Sequence, residues 1–263
     1  MKIGIFCREN DVNLISFIEK LISQDEKNII VLVEEKIQKK NSKRKIWQNE
    51  NFDLNILEKI ISIIYSIFKR FNIKKKYNLE DNKNKFNVNS WCNKNNIRYF
   101  NSPHNSFETE ACIKREKINH IFLLSGGIIK NNILNIENLI VYNAHPGRLP
   151  RHRGLSSLEW SIIENYPTSL TLHTLNNKID EGDIIKIVDF KPKNNESIND
   201  FKKRMINFKP TIFSEVIKNI KNNNLVRIKQ DYYEGIIHRK LSRRERKSLE
   251  KSYSILNNST RGF

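Results

Sequence analysis

The first 33 residues read strand, helix, strand, and that order limits the folds open to the chain more than any other feature does. Residues 2–7 form a short apolar run ending at Cys7. Val12, Ile15, Ile18 and Ile22 then recur at helical spacing behind Asp11, a residue type that caps helices. Asn28 to Val33 is short and apolar again, the mark of a strand buried on both faces. A β-α-β opening of this kind leads to a doubly wound α/β sheet, whose ligands sit at the carboxyl ends of the strands.

The alternation resumes after an interruption. Residues 54–71 place Leu54, Leu57, Ile60, Ile61, Ile64, Ile67, Phe68 and Phe71 at helical spacing, which predicts an amphipathic helix for core packing or, alternatively, a homodimer contact or substrate-loop element. Residues 74–85 are almost wholly polar and read as an inserted loop. Ile97 to Phe100 predicts a strand, 106–117 a helix and Ile118 to Leu124 another strand. That strand ends in Ser125-Gly126-Gly127-Ile128-Ile129, where adjacent glycines let a ligand approach the backbone closely.

The densest chemistry follows the apolar run Leu139 to Tyr142. Asn143 and His145 stand two positions apart, so on a strand end both side chains share one face and converge on one small group. Pro146, Gly147, Pro150 and Gly154 turn and stiffen the chain beyond them. A helix is predicted over 156–163 and a strand over 168–175 that carries His173, a type of residue usually packed or hydrogen-bonded. An acidic turn over 176–183 contains Asp180, and 184–190 predicts the last strand. Residues 191–196 offer a boundary. Beyond them Ser197-x-x-Asp200 can cap a helix toward Ile220, which Pro210 must kink or split. A short strand is expected at 225–228, and 239–251 is strongly basic.

Composition narrows the partners. The formal net charge is +18 over 263 residues, but Lys, Asn and Ile are used heavily throughout, which points to a solvated basic surface that attracts anionic small molecules. Three cysteines without a Cys-x-x-Cys pair argue against a disulfide framework or a zinc site and fit a reducing cytoplasm. No internal repeat, Walker loop or metal-ligand cluster is visible. Met1 leads straight into a strand pattern, so no signal peptide is expected, and the apolar window 60–68 falls far short of the ~20 residues that span a bilayer. The reading is a cytoplasmic protein without a membrane partner.

The pattern Asn-x-His-Pro-x-x-Leu-Pro-x-x-Arg-Gly over 143–154, followed by Ile179-Asp180-Glu181-Gly182-Asp183-Ile184, resembles the folate-dependent formyltransferases that act on glycinamide ribonucleotide, methionyl-tRNA or sugar nucleotides. The likeness covers roughly residues 118–190. It implies a Rossmann-like, doubly wound, mostly parallel sheet as a catalytic domain over 1–190, with a smaller helical and short-strand extension over 191–263. It implies catalysis by Asn143, His145 and Asp180, and N10-formyltetrahydrofolate held along Ser125, Gly126, Gly127, Ile128, Ile129, Asn176 and Ile179. Arg148, Arg153 and Gly154 are implied at the substrate, with no metal.

These residue types suit the reaction. An amine attacking a formyl carbonyl builds negative charge on oxygen and positive charge on nitrogen. An asparagine N–H donates to the oxyanion without titrating, a histidine holds or moves a proton near neutrality, and a carboxylate orients the imidazole and takes the amine's proton. The loop over 8–13 lacks the glycines of the glycinamide ribonucleotide branch. The acceptor expected is therefore an amino-sugar nucleotide, as used in lipopolysaccharide biosynthesis. Glycinamide ribonucleotide is the alternative, and a nucleic-acid-binding protein on a retired formyltransferase fold is an alternative of another class.

Overall fold

The computed structural model describes residues 1–34, 86–231 and 234–259, so the predicted helix at 54–71 and loop at 74–85 lie outside the described residues. In chain order the elements are β1 (Ile3–Arg8), α1 (Asn13–Ile22), β2 (Ile29–Glu34), α2 (Val88–Lys94), β3 (Tyr99–Asn101), α3 (Phe107–Glu116), β4 (His120–Leu123), α4 (Asn131–Leu134), β5 (Ile140–His145), β6 (His152–Gly154), α5 (Ser157–Ile163), β7 (Ser169–Thr174), β8 (Ile184–Asp189), α6 (Ile198–Asn207), α7 (Lys209–Lys221), β9 (Ile236–His238) and α8 (Arg243–Ser259).

Seven strands form one sheet in the order β3-β2-β1-β4-β5-β7-β8. The first five are mutually parallel, and β7 runs antiparallel to both β5 and β8. The fold is therefore the doubly wound, mostly parallel sheet that the opening implies. β1 and β2 are buried along nearly their whole length, as strands covered by helices on both faces must be. The chain winds outward from β1 to β2 on one side and to β4 on the other, so the crevice between the ends of β1 and β4 is a topological switch point.

Two apolar layers cover the sheet. On one face Phe17 of α1 packs on Phe122 of β4 and Phe213 of α7, with Tyr142 stacked on Phe122. On the other, Cys112 and Ile113 of α3 close over Phe6, Leu32, Ile121, Leu123 and Val141. The buried stripe of α1 is Leu14, Phe17, Ile18 and Leu21, while Val12 and Ile22 are exposed. The expected helix is present but turned by a residue, because the neighbouring phenylalanines select its inner face. Asp11 serves its first turn from outside, accepting from Asn13 N at 3.0 Å and from the Ser125 hydroxyl.

The helix expected from Ser197 splits at Phe208, with Pro210 in the first turn of α7, where its missing N–H costs nothing. Ser197 caps α6 by accepting from Asp200 N at 3.1 Å. Residues beyond 190 complete the main core, since Phe213 is fully buried against α1 and β4. The stretch 225–228 contributes only a bridge between Ile228 and Ile184, whereas 236–238, not foreseen as a strand, pairs in parallel with β6. Most of the basic run lies in α8, anchored by Leu249 and Tyr253. Among the described residues no helix is long and apolar enough to cross a membrane.

Candidate active site

β5 runs three residues further than its apolar part, so Asn143 and His145 belong to a strand and not to the loop after it. Their alternation puts them opposite Tyr142, which faces Phe122. Register with β7 then sets Asn143 directly across from His173 and His145 across from Thr171. Cross-strand neighbours of this kind lie close enough to touch. The Asn143 amide nitrogen is 3.3 Å from His173 Nε2.

His173 has no exposure and its Nδ1 lies 2.7 Å from the Thr174 carbonyl oxygen. A carbonyl only accepts, so Nδ1 carries the hydrogen and Nε2 presents a lone pair to the Asn143 N–H. Burial, against the pull of Asp180, pushes this histidine down to about 4, so it is neutral at pH 7. The second hydrogen of the Asn143 amide is left to point elsewhere. His173 is thus an orienting group that strand alternation alone could not identify, because the pairing is made with a residue 30 positions away.

His145 is 5% exposed and lies between two acceptors. Its Nε2 is 2.9 Å from the His152 carbonyl, and its Nδ1 is 3.4 Å from Asp180 Oδ2. The same carboxylate oxygen accepts Gly154 N–H at 2.9 Å, and Oδ1 is 3.7 Å from His173 Nε2. Asp180 reaches this position from a turn in which its own φ is +51°, a left-handed conformation that Asp tolerates better than most residues. Gly182 presses so closely on Thr174 that an added Cβ would stand 1.8 Å from its carbonyl oxygen. Gln230 ties the turn down by donating to the Asp180 and Gly182 carbonyls at 2.9 and 2.6 Å.

The other expected residues divide. Ser125 accepts from Arg8 N at 3.0 Å, and the Gly126 carbonyl accepts the Arg8 guanidinium at 3.2 Å, which puts this segment at the switch point between β4 and β1. Gly127 is open on its Cβ side and Ile128 is 80% exposed, so both face outward, whereas Ile129 is buried in the core layer and does not. Asn176 folds onto Lys178 N at 3.0 Å, and Ile179 is half exposed on the same turn as Asp180. Gly154 has φ +83° and contributes its N–H to Asp180.

The arginines are engaged within the protein. Arg148 pairs with Asp189 at 2.5 Å and Ser169 at 3.3 Å on the β7–β8 side. Arg153, expected at the substrate, is 2% exposed and clamps Glu181 at 3.0 Å, Gln230 at 3.4 Å and the Asp231 carbonyl at 3.3 Å. It braces the Asp180 turn. Lys209, half-buried at the start of α7, places its ammonium 3.2 Å from the Leu124 carbonyl at the end of β4 and is pushed by desolvation down to about 8.

A mostly parallel α/β sheet that brings Asn143 and His145, at the carboxyl end of β5, together with His173 of the antiparallel β7 and Asp180 of the β7–β8 turn defines the class of protein. The family described as Formyl transferase matches residues 1–217, and the chain belongs to that family. A methionyl-tRNA formyltransferase of Mycoplasma pneumoniae is 32% identical over 148 residues, covering 55% of this chain and 47% of that protein. The chain spans less than half the length of the curated relatives it matches. The N-formyltransferase of Helicobacter canadensis, in complex with folinic acid and dTDP-3-aminofucose, superposes with a TM-score of 0.60 at 16% identity, over 96% of this chain and 80% of that one. The phosphoribosylglycinamide formyltransferase of Bacillus halodurans gives 0.56 at 14% identity, over 84% and 95%. At these identities the likeness is one of fold.

Proposed function

We propose that this chain transfers a formyl group from N10-formyltetrahydrofolate to a primary amine carried on a nucleotide-linked sugar. The observation that carries the reading is the convergence of the Asn143 amide, the His145 imidazole and the Asp180 carboxylate at the end of β5. The amine nitrogen attacks the formyl carbon and the carbonyl oxygen becomes an oxyanion. The second N–H of Asn143, aimed by His173, donates to that oxygen. His145, held between the His152 carbonyl and the Asp180 carboxylate, sets its ring beside the oxyanion. Asp180 takes the proton from the attacking nitrogen. As the C–N10 bond breaks, the proton taken up by Asp180 passes to the departing tetrahydrofolate nitrogen, Asp180 returns to its carboxylate, and charge is conserved.

Folate is supported by the folinic acid in the Helicobacter canadensis structure, and the sugar acceptor by the aminofucose nucleotide beside it. The segment from Ser125 to Ile128, open at Gly127, is the one we assign to the pterin, read through backbone groups. A tRNA acceptor is favoured instead by the 32% identity to the Mycoplasma pneumoniae enzyme and by the charge of +18. One competition experiment separates them. With 10-formyltetrahydrofolate, equal amounts of a dTDP-amino sugar, glycinamide ribonucleotide and methionyl-tRNA are offered together, and each formylated product is measured. The sugar product should dominate. Preference for another amine overturns the acceptor, and release of deformylated folate with none of them overturns the reaction.

A further inference from the structure

Behind the backbone carbonyl that holds His145 lies a second cluster of titratable side chains that formyl transfer does not use. His152 opens β6, His238 closes β9, and Glu164 is the residue that ends α5. Parallel pairing of β6 with β9 brings the two histidines to one side of α5, although 86 residues separate them. His152 Nε2 is 3.1 Å from Glu164 Oε2, and His238 Nε2 is 3.8 Å from Glu164 Oε1. One donor atom from each residue lies within 4.8 Å of the other two.

Two features point to a ligand between them. His238 is 8% exposed, and its Nε2 is buried without any hydrogen-bond partner. At 3.8 Å it is too far from the carboxylate for a hydrogen bond. The 3.1 and 3.8 Å separations run to the two different oxygens of one carboxylate, and both are near the spacing of about 3.3 Å between donors that hold an ion through bonds of roughly 2.0–2.1 Å at tetrahedral angles. Arg151 sits 3.3 Å from Glu164 Oε2, so that oxygen has an outer partner while Oε1 faces His238. Metal ligands are commonly held by such outer partners.

We infer that His152, Glu164 and His238 bind one divalent transition cation of the zinc class, with the fourth position left to water. Two imidazoles and one carboxylate are a donor set suited to that ion and poorly suited to magnesium or calcium. The cation would pin β6 to β9 and α5. β6 supplies both the His152 carbonyl to His145 and the Gly154 N–H to Asp180, so the ion would stiffen the wall of the candidate active site without touching the reacting atoms. The inference does not depend on which amine is formylated, or on formyl transfer at all.

The test uses the full chain stripped with a chelator and titrated with Co²⁺ alone. One equivalent should produce the intense visible bands of low-coordinate cobalt, and Zn²⁺ should discharge them while raising the unfolding temperature by mass action. Glu164→Gln and His238→Gln, which preserve volume, should each weaken uptake by more than the roughly 100-fold loss typical of removing an outer-sphere partner. In the unaltered chain, the imidazole nitrogen resonances of His152 and His238 should shift on addition of Zn²⁺, a readout that survives if either variant misfolds. No cobalt bands at stoichiometric concentrations, undiminished uptake in both variants, or shifts confined to other histidines would overturn the assignment.

Discussion

At the scale of single residues, the reactive pair and its support behave differently under substitution. His145→Ala and Asp180→Asn each act on charge that develops only as the amine attacks, so each should lower kcat by about a hundredfold or more while leaving the Kd for 5-formyltetrahydrofolate nearly unchanged. Stopped-assay kinetics beside calorimetry check both halves, and near-normal turnover in a folded His145→Ala protein would remove the catalytic assignment. Because the two touch, the double variant should be scarcely worse than the poorer single one. His173 predicts a pH effect on stability. Its value of about 4 when buried lies below the ~6.5 of an unfolded chain. The unfolded chain therefore binds the proton first as pH falls, so roughly 3 kcal/mol of stability is present above pH ~6.5 and is lost between there and about 4. His120, held near 4 chiefly by burial, acts in the same direction. Urea unfolding at several pH values should show this slope, and His173→Gln should flatten part of it. Asn143, His145 and Asp180 were legible as a chemical set from their types and spacing. The role of His173 was not, because it follows from strand register.

At the scale of elements, two changes report on what holds the site in place. Gly182→Ala drives a methyl group into the Thr174 carbonyl, so the turn must open, and with it the position of Asp180. The expected result is a large fall in turnover accompanied by a lower Tm, read by activity and thermal melts. Phe213→Ala removes a buried ring from between α1 and β4 and should cost about 3–5 kcal/mol in denaturant unfolding. A loss below ~1 kcal/mol would mean that α7 does not share the main core. The helices and parallel strands were readable because apolar periodicity records local structure. The face of α1 was not, since Val12 and Ile22 match the helical period as well as Leu14 and Leu21 do, and only neighbouring side chains choose between them. β9 escaped notice for a related reason: three residues with two exposed isoleucines carry no alternation, and they form a strand only because β6 lies beside them.

At the scale of the whole molecule, the charge of +18 predicts how an anionic acceptor is captured. If the basic surface acts as a general field, raising ionic strength should increase KM for a nucleotide-linked amine while leaving kcat nearly constant, since exposed charges more than about 10 Å apart are screened at 0.1 M salt. Steady-state kinetics across a salt series check this. A tRNA acceptor bound through many phosphates would instead show a steep power-law loss of affinity with salt.

What the sequence determined by itself is local and chemical. Short apolar runs alternating with helical patterns specified a doubly wound sheet, and a strand end bearing Asn143 and His145 marked where its chemistry lies. Tertiary structure alone decided which distant residues meet. It turned Arg153 inward onto Glu181, set His173 behind Asn143, and gathered His152, Glu164 and His238 into a donor cluster where sequence spacing shows no metal motif. The physical reason is that the pairing of β5 with β7 and of β6 with β9 brings together residues 30 and 86 positions apart, and no period along the chain records a contact of that range.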